Sequence, residues 1–277
     1  MKMVSLSKYS LVATLVTTLV ITLSACTSTS TKKGSVGIDR QQLLLISPQQ
    51  MMQGASAAYD DVLQQAKEKE ILNTDHQVVK RVRRIANNII PQVAVFREDA
   101  LKWDWQVNVI ESEKLNAWCM PGGKIAFYTG IINKLKLTDA EIAAIMGHEI
   151  AHALREHGRE RASEQTLSNL GMSAIGAITG IQGPAMDVAS MALQVTVALP
   201  NSRTHEVEAD RMGVELAARA GYNPFAAVNV WKKMAQQKSG GSPPEMLSTH
   251  PSHSSRIQDL TNYAKRVEPL FLQARRR

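Results

Sequence analysis

Residues 138–158, TDAEIAAIMGHEIAHALREHG, limit what this chain can fold into more than any other stretch. Thr138 followed three residues later by Glu141 is a capping box, and Asp139 adds negative charge to the first turn. The segment therefore predicts a helix opening at Thr138. Ile142, Ile145, Met146, Ile150 and Leu154 give it apolar cover, and Gly158 reads as its stop. Residues four apart on a helix face the same way. His148 and His152 can thus each present a ring nitrogen to one ion at about 2.0–2.1 Å. Glu149 sits about 100° round from His148, where a carboxylate can reach a water on that ion without ligating it.

Two histidines do not complete a zinc site. His157 lies five residues past His152, about 140° off the ligand face, and reads as a helix-end histidine making local hydrogen bonds and complementing the helix dipole. A third histidine six residues after the second is ruled out, because that position is Gly158. The acids of SRTHEVEADRMG (202–213) are the better source. Glu206 and Asp210 are four apart on a predicted helix, and Glu208 points about 200° away from Glu206. A charged surface helix is the other reading of EVEAD, but the need for a third ligand favours a site. Glu206 can bind the metal while Asp210 accepts the free N–H of a ligand histidine and fixes its tautomer. Two histidines and one carboxylate leave a position open for water, as catalytic rather than structural zinc sites do.

Around this centre the patterning is mixed. Pro48 suits a helix start within a polar-helical region, residues 39–72, and Asp75 opens a helix carrying Val78, Val79, Val82, Ile85 and Ile89 that Pro91 ends or bends. DWQVNVIE (104–111) alternates as a half-buried strand, and PGG (121–123) joins LNAWCM to KIAFYT as a hairpin. A small antiparallel sheet is expected before the motif helix. Everything after about residue 160 reads helical, with helices at 203–220 and 224–237 and a loop at SGGSPPEM. The apolar stretch 167–200 is broken by Gly180, Gly183-Pro184 and Asp187, so it predicts two buried or partly mobile helices rather than a membrane span.

The beginning of the chain reads as a leader. Lys2 and Lys8 precede LVATLVTTLVITL (11–23), a length that suits a signal-peptide core and is too short to span a bilayer. LSAC (23–26) is similar to a bacterial lipobox, which makes Cys26 the expected lipidation site, and Thr27 after it favours the outer membrane. The expected organisation is a lipoprotein signal peptide at 1–25, a flexible tether at 26–38, an N-terminal helical extension at 39–74 and a catalytic domain at 75–277. With Cys26 lipidated only Cys119 remains, so no intramolecular disulfide is available. The formal charge is +7, but the basic residues are scattered, with small clusters at KRVRR and RRR. They read as solvated faces, and nucleic acid is not an expected partner.

HEIAH followed some fifty residues later by SRTHEVEAD resembles the HtpX, Oma and CAAX-prenyl-protease family of zinc metallopeptidases. The resemblance covers residues 75–265, including NAWCMPGGKIAFYTGII and THPSHSSR (249–256), the counterpart of the family's His-Pro stretch. The lipobox narrows it towards the family's bacterial periplasmic and outer-membrane members. It implies a mainly helical α+β fold of the zincin kind and one zinc per chain. His148, His152 and Glu206 match the zinc ligands, Glu149 the catalytic base and Asp210 the acid behind them. Asn116 and Ala117 fall on the strand along which an extended substrate would pair. His250, in the His-Pro stretch, is the first choice of oxyanion donor, ahead of Arg203, His205 and Tyr128. The alternatives for His250 are a loop-surface histidine with no such role and a latch occupying the open metal position. The expected function is zinc-dependent endopeptidase action on unfolded or misassembled outer-membrane proteins, from an outer-membrane lipoprotein facing the periplasm. Contact with the outer-membrane assembly machinery is a further possible partnership. A proteolytically latent, zinc-containing chaperone is the competing class, and Glu149 argues against it, since a pure scaffold needs no base.

Overall fold

The computed structural model describes residues 27–179, 187–237, 245–250 and 255–276. The leader, Cys26, Gly180, Gly183-Pro184, most of the 239–246 loop and residues 251–254 lie outside the described residues.

Strand β1 (Thr27–Ser28) pairs antiparallel with β2 (Gln42–Leu43). Helix α1 (Pro48–Glu68) follows, with Ser47 and Gln50 forming a capping box and Pro48 in the first turn, where its missing N–H costs nothing. Asp75 caps α2 (His76–Ile89) by accepting from the amides of Gln77 and Val78. Pro91 follows immediately, and the chain tightens into a 3₁₀ turn over Ile90–Val95. Then come β3 (Gln106–Ile110), β4 (Ala117–Met120), β5 (Lys124–Tyr128) and the short α3 (Thr129–Lys134). The motif helix is α4 (Asp139–Leu154), succeeded by α5 (His157–Thr179), α6 (Val188–Leu193) with a π-helical turn over Gln194–Ala198, and α7 (Arg203–Arg219). Helices α8 (Ala226–Gln236), α9 (Glu245–Thr249) and α10 (Arg256–Ala274) complete the described chain. No helix among the described residues is long and apolar enough to cross a membrane.

The sheet has the order β3-β5-β4. The PGG hairpin makes β4 and β5 antiparallel as expected, with Gly122 and Gly123 at φ of 80° and 82°, a conformation that favours glycine. The first strand departs from expectation. It lies outside β5 and parallel to it, Gln106 opposite Lys124 and Ile110 opposite Tyr128, so the sheet is mixed. Residues 111–116 cross back past β5, which leaves β4 at the edge beside α4. Both faces of the sheet are covered. Ala117, Cys119, Ile125 and Phe127 join the main core with α2, α4 and α7, while Trp118, Met120 and Ala126 pack with Met51, Ala55 and Tyr59 of α1. That is why every residue of β4 is buried and its apolar run shows no alternation.

Residues 29–45, part of which composition assigns to a tether, lie against the domain. Val36, Ile38 and Leu44 are buried, and Val36 N–H donates to Glu215 Oε2 at 3.0 Å. These side chains, with Leu43 and Leu45 half-buried beside them, lay the otherwise polar stretch down.

The closest packing is between α4 and α7, and it turns on two glycines. A Cβ on Gly147 would stand 2.6 Å from the carbonyl oxygen of Gly213, and a Cβ on Gly213 would stand 2.7 Å from the amide nitrogen of His148. Both contacts are with backbone, so neither can be relieved by rotating a side chain. Gly213→Ala gains up to about 1 kcal/mol of helix propensity. It forces the two helices apart at an overpacking cost of about 1–3 kcal/mol. The net expectation is a lower unfolding temperature by calorimetry; an unchanged or raised value would show that the crossing is looser than described.

Candidate metal centre

Because α4 and α7 meet at those glycines, the residue after Gly147 and those one and two turns before Gly213 face one another. His148 and His152 come from α4, Glu206 and Asp210 from α7, and His250 arrives from the end of α9. One donor atom from each of His148, His152, Glu206 and His250 lies within 4.8 Å of the others, and all four residues are buried. Ligand atoms at about 2.0–2.1 Å from a tetrahedral zinc stand roughly 3.3 Å from one another. Here His148 Nε2 is 3.0 Å from His152 Nε2 and 3.2 Å from His250 Nδ1. Glu206 Oε1 is 3.4 Å from His152 Nε2 and 2.9 Å from His250 Nδ1, and Glu206 Oε2 is 3.7 Å from His148 Nε2. The donor set and its spacing fit zinc. Among the described residues this is the one cluster of that kind.

The electrostatics suit a cation. Burial by itself would raise the Glu206 pKa, but His250, His152 and Arg256 together outweigh it and hold the carboxyl well below the usual range. Burial pushes His152 well below the ordinary histidine value, which keeps it neutral and able to ligate. Glu149 is 3% exposed, and burial raises its pKa, against the opposing pull of His250 and His148. Its Oε1 has no hydrogen-bond partner among the described residues and lies 3.6 Å from His250 Nε2. A buried, unpaired carboxylate oxygen beside the ligand atoms is what a proton acceptor there requires.

Asp210 lies beside the first of these histidines, with Oδ1 2.9 Å from His148 Nδ1. Arg256 then holds Asp210 through two bonds of 2.7 Å and reaches Glu206 Oε2 at 2.9 Å, its guanidinium lying 3.4 Å from the centre of the Trp231 ring. Sequence reasoning quoted this arginine as the last residue of THPSHSSR without giving it a task. Its spacing after His250 was the available signal.

His157 is corrected. It is not a helix-end residue, and Gly158 is not the stop. Helix α4 ends at Leu154, Glu156 takes a φ of 55°, and α5 begins at His157. The left-handed residue breaks the 140° projection and turns His157 back under the site, fully buried, with Nδ1 2.8 Å from His152 Nδ1. Of the other oxyanion donors considered, His205 is buried against Glu160 and stacked on His157, Arg203 is exposed at the start of α7, and Tyr128 caps α3; none is in the ligand cluster.

The candidate substrate strand is the free edge of the sheet, and it is covered. The outward amide of Ala117 donates to the Asn116 side-chain oxygen at 2.9 Å, and the Leu115 carbonyl accepts from the amide of Met246 at 3.2 Å. The cavity over Glu149 and His152, closed by Thr196, Asn201 and His250, measures about 20 Å³. That is room for about one water.

The comparisons agree with this architecture. The profile of peptidase family M48 matches residues 76–264. The chain belongs to peptidase family M48. It is 36% identical over 168 residues to the mitochondrial metalloendopeptidase OMA1 of Arabidopsis thaliana, a match covering 61% of this chain and 33% of that protein. With the OMA1 of Saccharomyces cerevisiae it shares 27% identity over 247 residues, covering 85% and 70%. The beta-barrel assembly-enhancing protease of Escherichia coli O157:H7 is 29% identical over 189 residues, covering 65% and 38%. Of the Arabidopsis relative, then, the chain spans about a third. Zinc is the metal this family uses, and the α+β fold with its mainly helical body is the one its members' motifs led us to expect.

Proposed function

We propose that the protein is a zinc-dependent endopeptidase of the bacterial cell envelope that cleaves unfolded or misassembled outer-membrane proteins. The observation that carries the peptidase reading is the convergence of His148, His152 and Glu206 with the unpaired Glu149 oxygen beside them. The substrate class rests on the likeness to a protein named for beta-barrel assembly and on the lipobox at Cys26, which would attach the chain to the outer membrane by lipid.

Zinc held by His148, His152 and Glu206 would supply Lewis acidity towards a water and the scissile carbonyl. Glu149 takes the proton at its free Oε1 and passes it to the leaving amine. Asp210 and Arg256 hold His148 and Glu206 in place throughout. The peptide adds as a strand along β4 once the Asn116 side chain and Met246 release the Ala117 amide and the Leu115 carbonyl. Backbone pairing of that kind gives binding with little sequence selectivity, which suits unfolded clients. The test is hydrolysis of a denatured outer-membrane protein by the purified chain. Activity lost with a chelator and restored by zinc supports the reading. A zinc-loaded chain that binds the client without cutting it would favour the chaperone instead.

His250 is the latch of this site rather than its oxyanion donor. Its Nδ1 sits among the ligand atoms, nearer to Glu206 than any other ring nitrogen, where it completes the set and excludes a carbonyl. His250→Ala should therefore raise hydrolysis several-fold in a steady-state assay; a fall would support the oxyanion role.

A further inference from the structure

Behind His152, on the side away from the other ligands, lies a buried polar cluster that the proposed reaction does not use. His157 Nε2 is 2.9 Å from Glu208 Oε2. Glu208 also accepts from Arg155 Nε at 3.1 Å and from Arg40, through Nε at 2.9 Å and Nη2 at 3.2 Å. Arg40 grips a second carboxylate, Glu160, through Nη1 at 2.6 Å and Nη2 at 2.9 Å. Glu160 holds His205 Nε2 at 3.1 Å, and the His205 ring stacks on His157 with centroids 4.3 Å apart and planes 19° from parallel. Gln42 and Ser30 close the cluster from the same N-terminal stretch, both donating to the carbonyl of Arg155.

We propose that Arg40 is a positioning residue for the metal centre, acting through Glu208 and His157 to fix the ring orientation and tautomer of the zinc ligand His152. This rests on the zinc site argued above.

The tautomers follow from donor and acceptor counting. His152 turns Nε2 to the ligand cluster, so when that nitrogen ligates, its proton must sit on Nδ1. Two ring nitrogens 2.8 Å apart then bond only if His157 Nδ1 accepts. The His157 proton therefore sits on Nε2, where the Glu208 carboxylate takes it. The chain of bonds has one direction, from metal ligand to Glu208. Arg40 sets its end point together with the buried Arg155: each guanidinium reaches both oxygens of Glu208, Arg155 through Nε at 3.1 Å and Nη2 at 3.5 Å, and the pair keeps the carboxylate from rotating away. By holding Glu160 as well, the same guanidinium fixes His205 and with it the face on which His157 stacks. Arg40 is the one side chain that takes part in both holds on the ring, sharing Glu208 with Arg155 and Glu160 with Gln42, which donates to Glu160 Oε2 at 2.8 Å.

A purely stabilising role explains the cluster poorly. Buried ion pairs are roughly neutral against well-packed apolar residues once desolvation is counted. Such a set, placed directly behind a ligand, gains its value from positioning. His148 shows the same logic in shorter form, with Asp210 and Arg256 behind it.

The test uses the full chain, with zinc affinity measured by competition against a chromophoric chelator and thermal unfolding recorded on the metal-free form. Arg40→Met and Glu208→Gln should each weaken zinc binding about 10–100-fold, the range for losing an outer partner of a ligand histidine. The double variant should be no weaker than the worse single one, because both act on one path. Lys33→Met, which removes an exposed ion pair with Asp39 in the same stretch, should leave affinity unchanged. Affinity in Arg40→Met within twofold of wild type, or additive losses in the double variant, would overturn the proposal. So would nitrogen-15 histidine spectra of the zinc-loaded wild type placing the His157 proton on Nδ1, a result that needs no variant to fold. A wild type that binds no zinc would instead defeat the peptidase reading.

Discussion

Glu149→Gln is expected to lower peptide hydrolysis by about 10²–10⁴-fold while zinc stays at one per chain. The substitution keeps size and shape, and the amide cannot accept a proton. The Oε1 of Glu149 has no hydrogen-bond partner among the described residues, so the substitution leaves the holders of the metal untouched. A second readout has a definite sign. Burial disfavours the charged form of Glu149, so replacing it by a neutral side chain removes an unfavourable buried charge. The variant should unfold at the same temperature as the wild type or higher. Loss of activity together with loss of stability would point to a folding defect, and full activity in a zinc-loaded Glu149→Gln would remove Glu149 from the chemistry.

Glu206→Ala should take zinc content from one per chain to near zero, measured by elemental analysis after dialysis against a weak chelator. The carboxylate is the only acidic member of the four-residue cluster and the only one contributed by α7. Its loss also removes a partner from Arg256, which stays buried beside Asp210. Breaking a buried ion pair from one side costs about 3–5 kcal/mol, so the variant should also unfold earlier. Glu206→Gln separates the two effects, since it keeps the volume and a neutral oxygen while withdrawing the charge. One zinc per chain in Glu206→Ala would mean that His148, His152 and His250 hold the ion without the carboxylate.

How much of this was readable in advance depends on the distance over which each feature is encoded. The motif helix, its cap and the PGG hairpin are local, and local chemistry reveals them. Glu206 is far from His152 in sequence, yet it carries a local mark: an acid with a second acid one turn on, next to a motif short of one ligand. Asp210 follows from the same turn. The parallel pairing of β3 has no such mark, because a strand's alternation does not say which neighbour it will choose. His157 was misread because its projection assumed an unbroken helix, and one residue, Glu156 at a φ of 55°, undoes that assumption. Arg40 is invisible for another reason. Its partners Glu160 and Glu208 are 120 and 168 positions away, and a lone arginine in a polar stretch looks the same whether it is solvated or half-buried against a cluster. KRVRR was easier. Arg81 and Arg84 both bind Asp139 at the head of α4, on the surface of the domain as expected.

The contact between Gly147 and Gly213 also decides how the molecule can work as a machine. With backbone against backbone at that crossing, no side chain there can turn aside to let α4 and α7 slide, which holds the ligand-bearing helices in one register. Access for a peptide must be granted by parts that carry none of the α4 or α7 ligands: the Gln194–Ala198 turn and the α9 segment ending at His250. The hinge of such a gate lies outside the helix pair that carries His148, His152 and Glu206, and His250 is the one member of the cluster that would move with it.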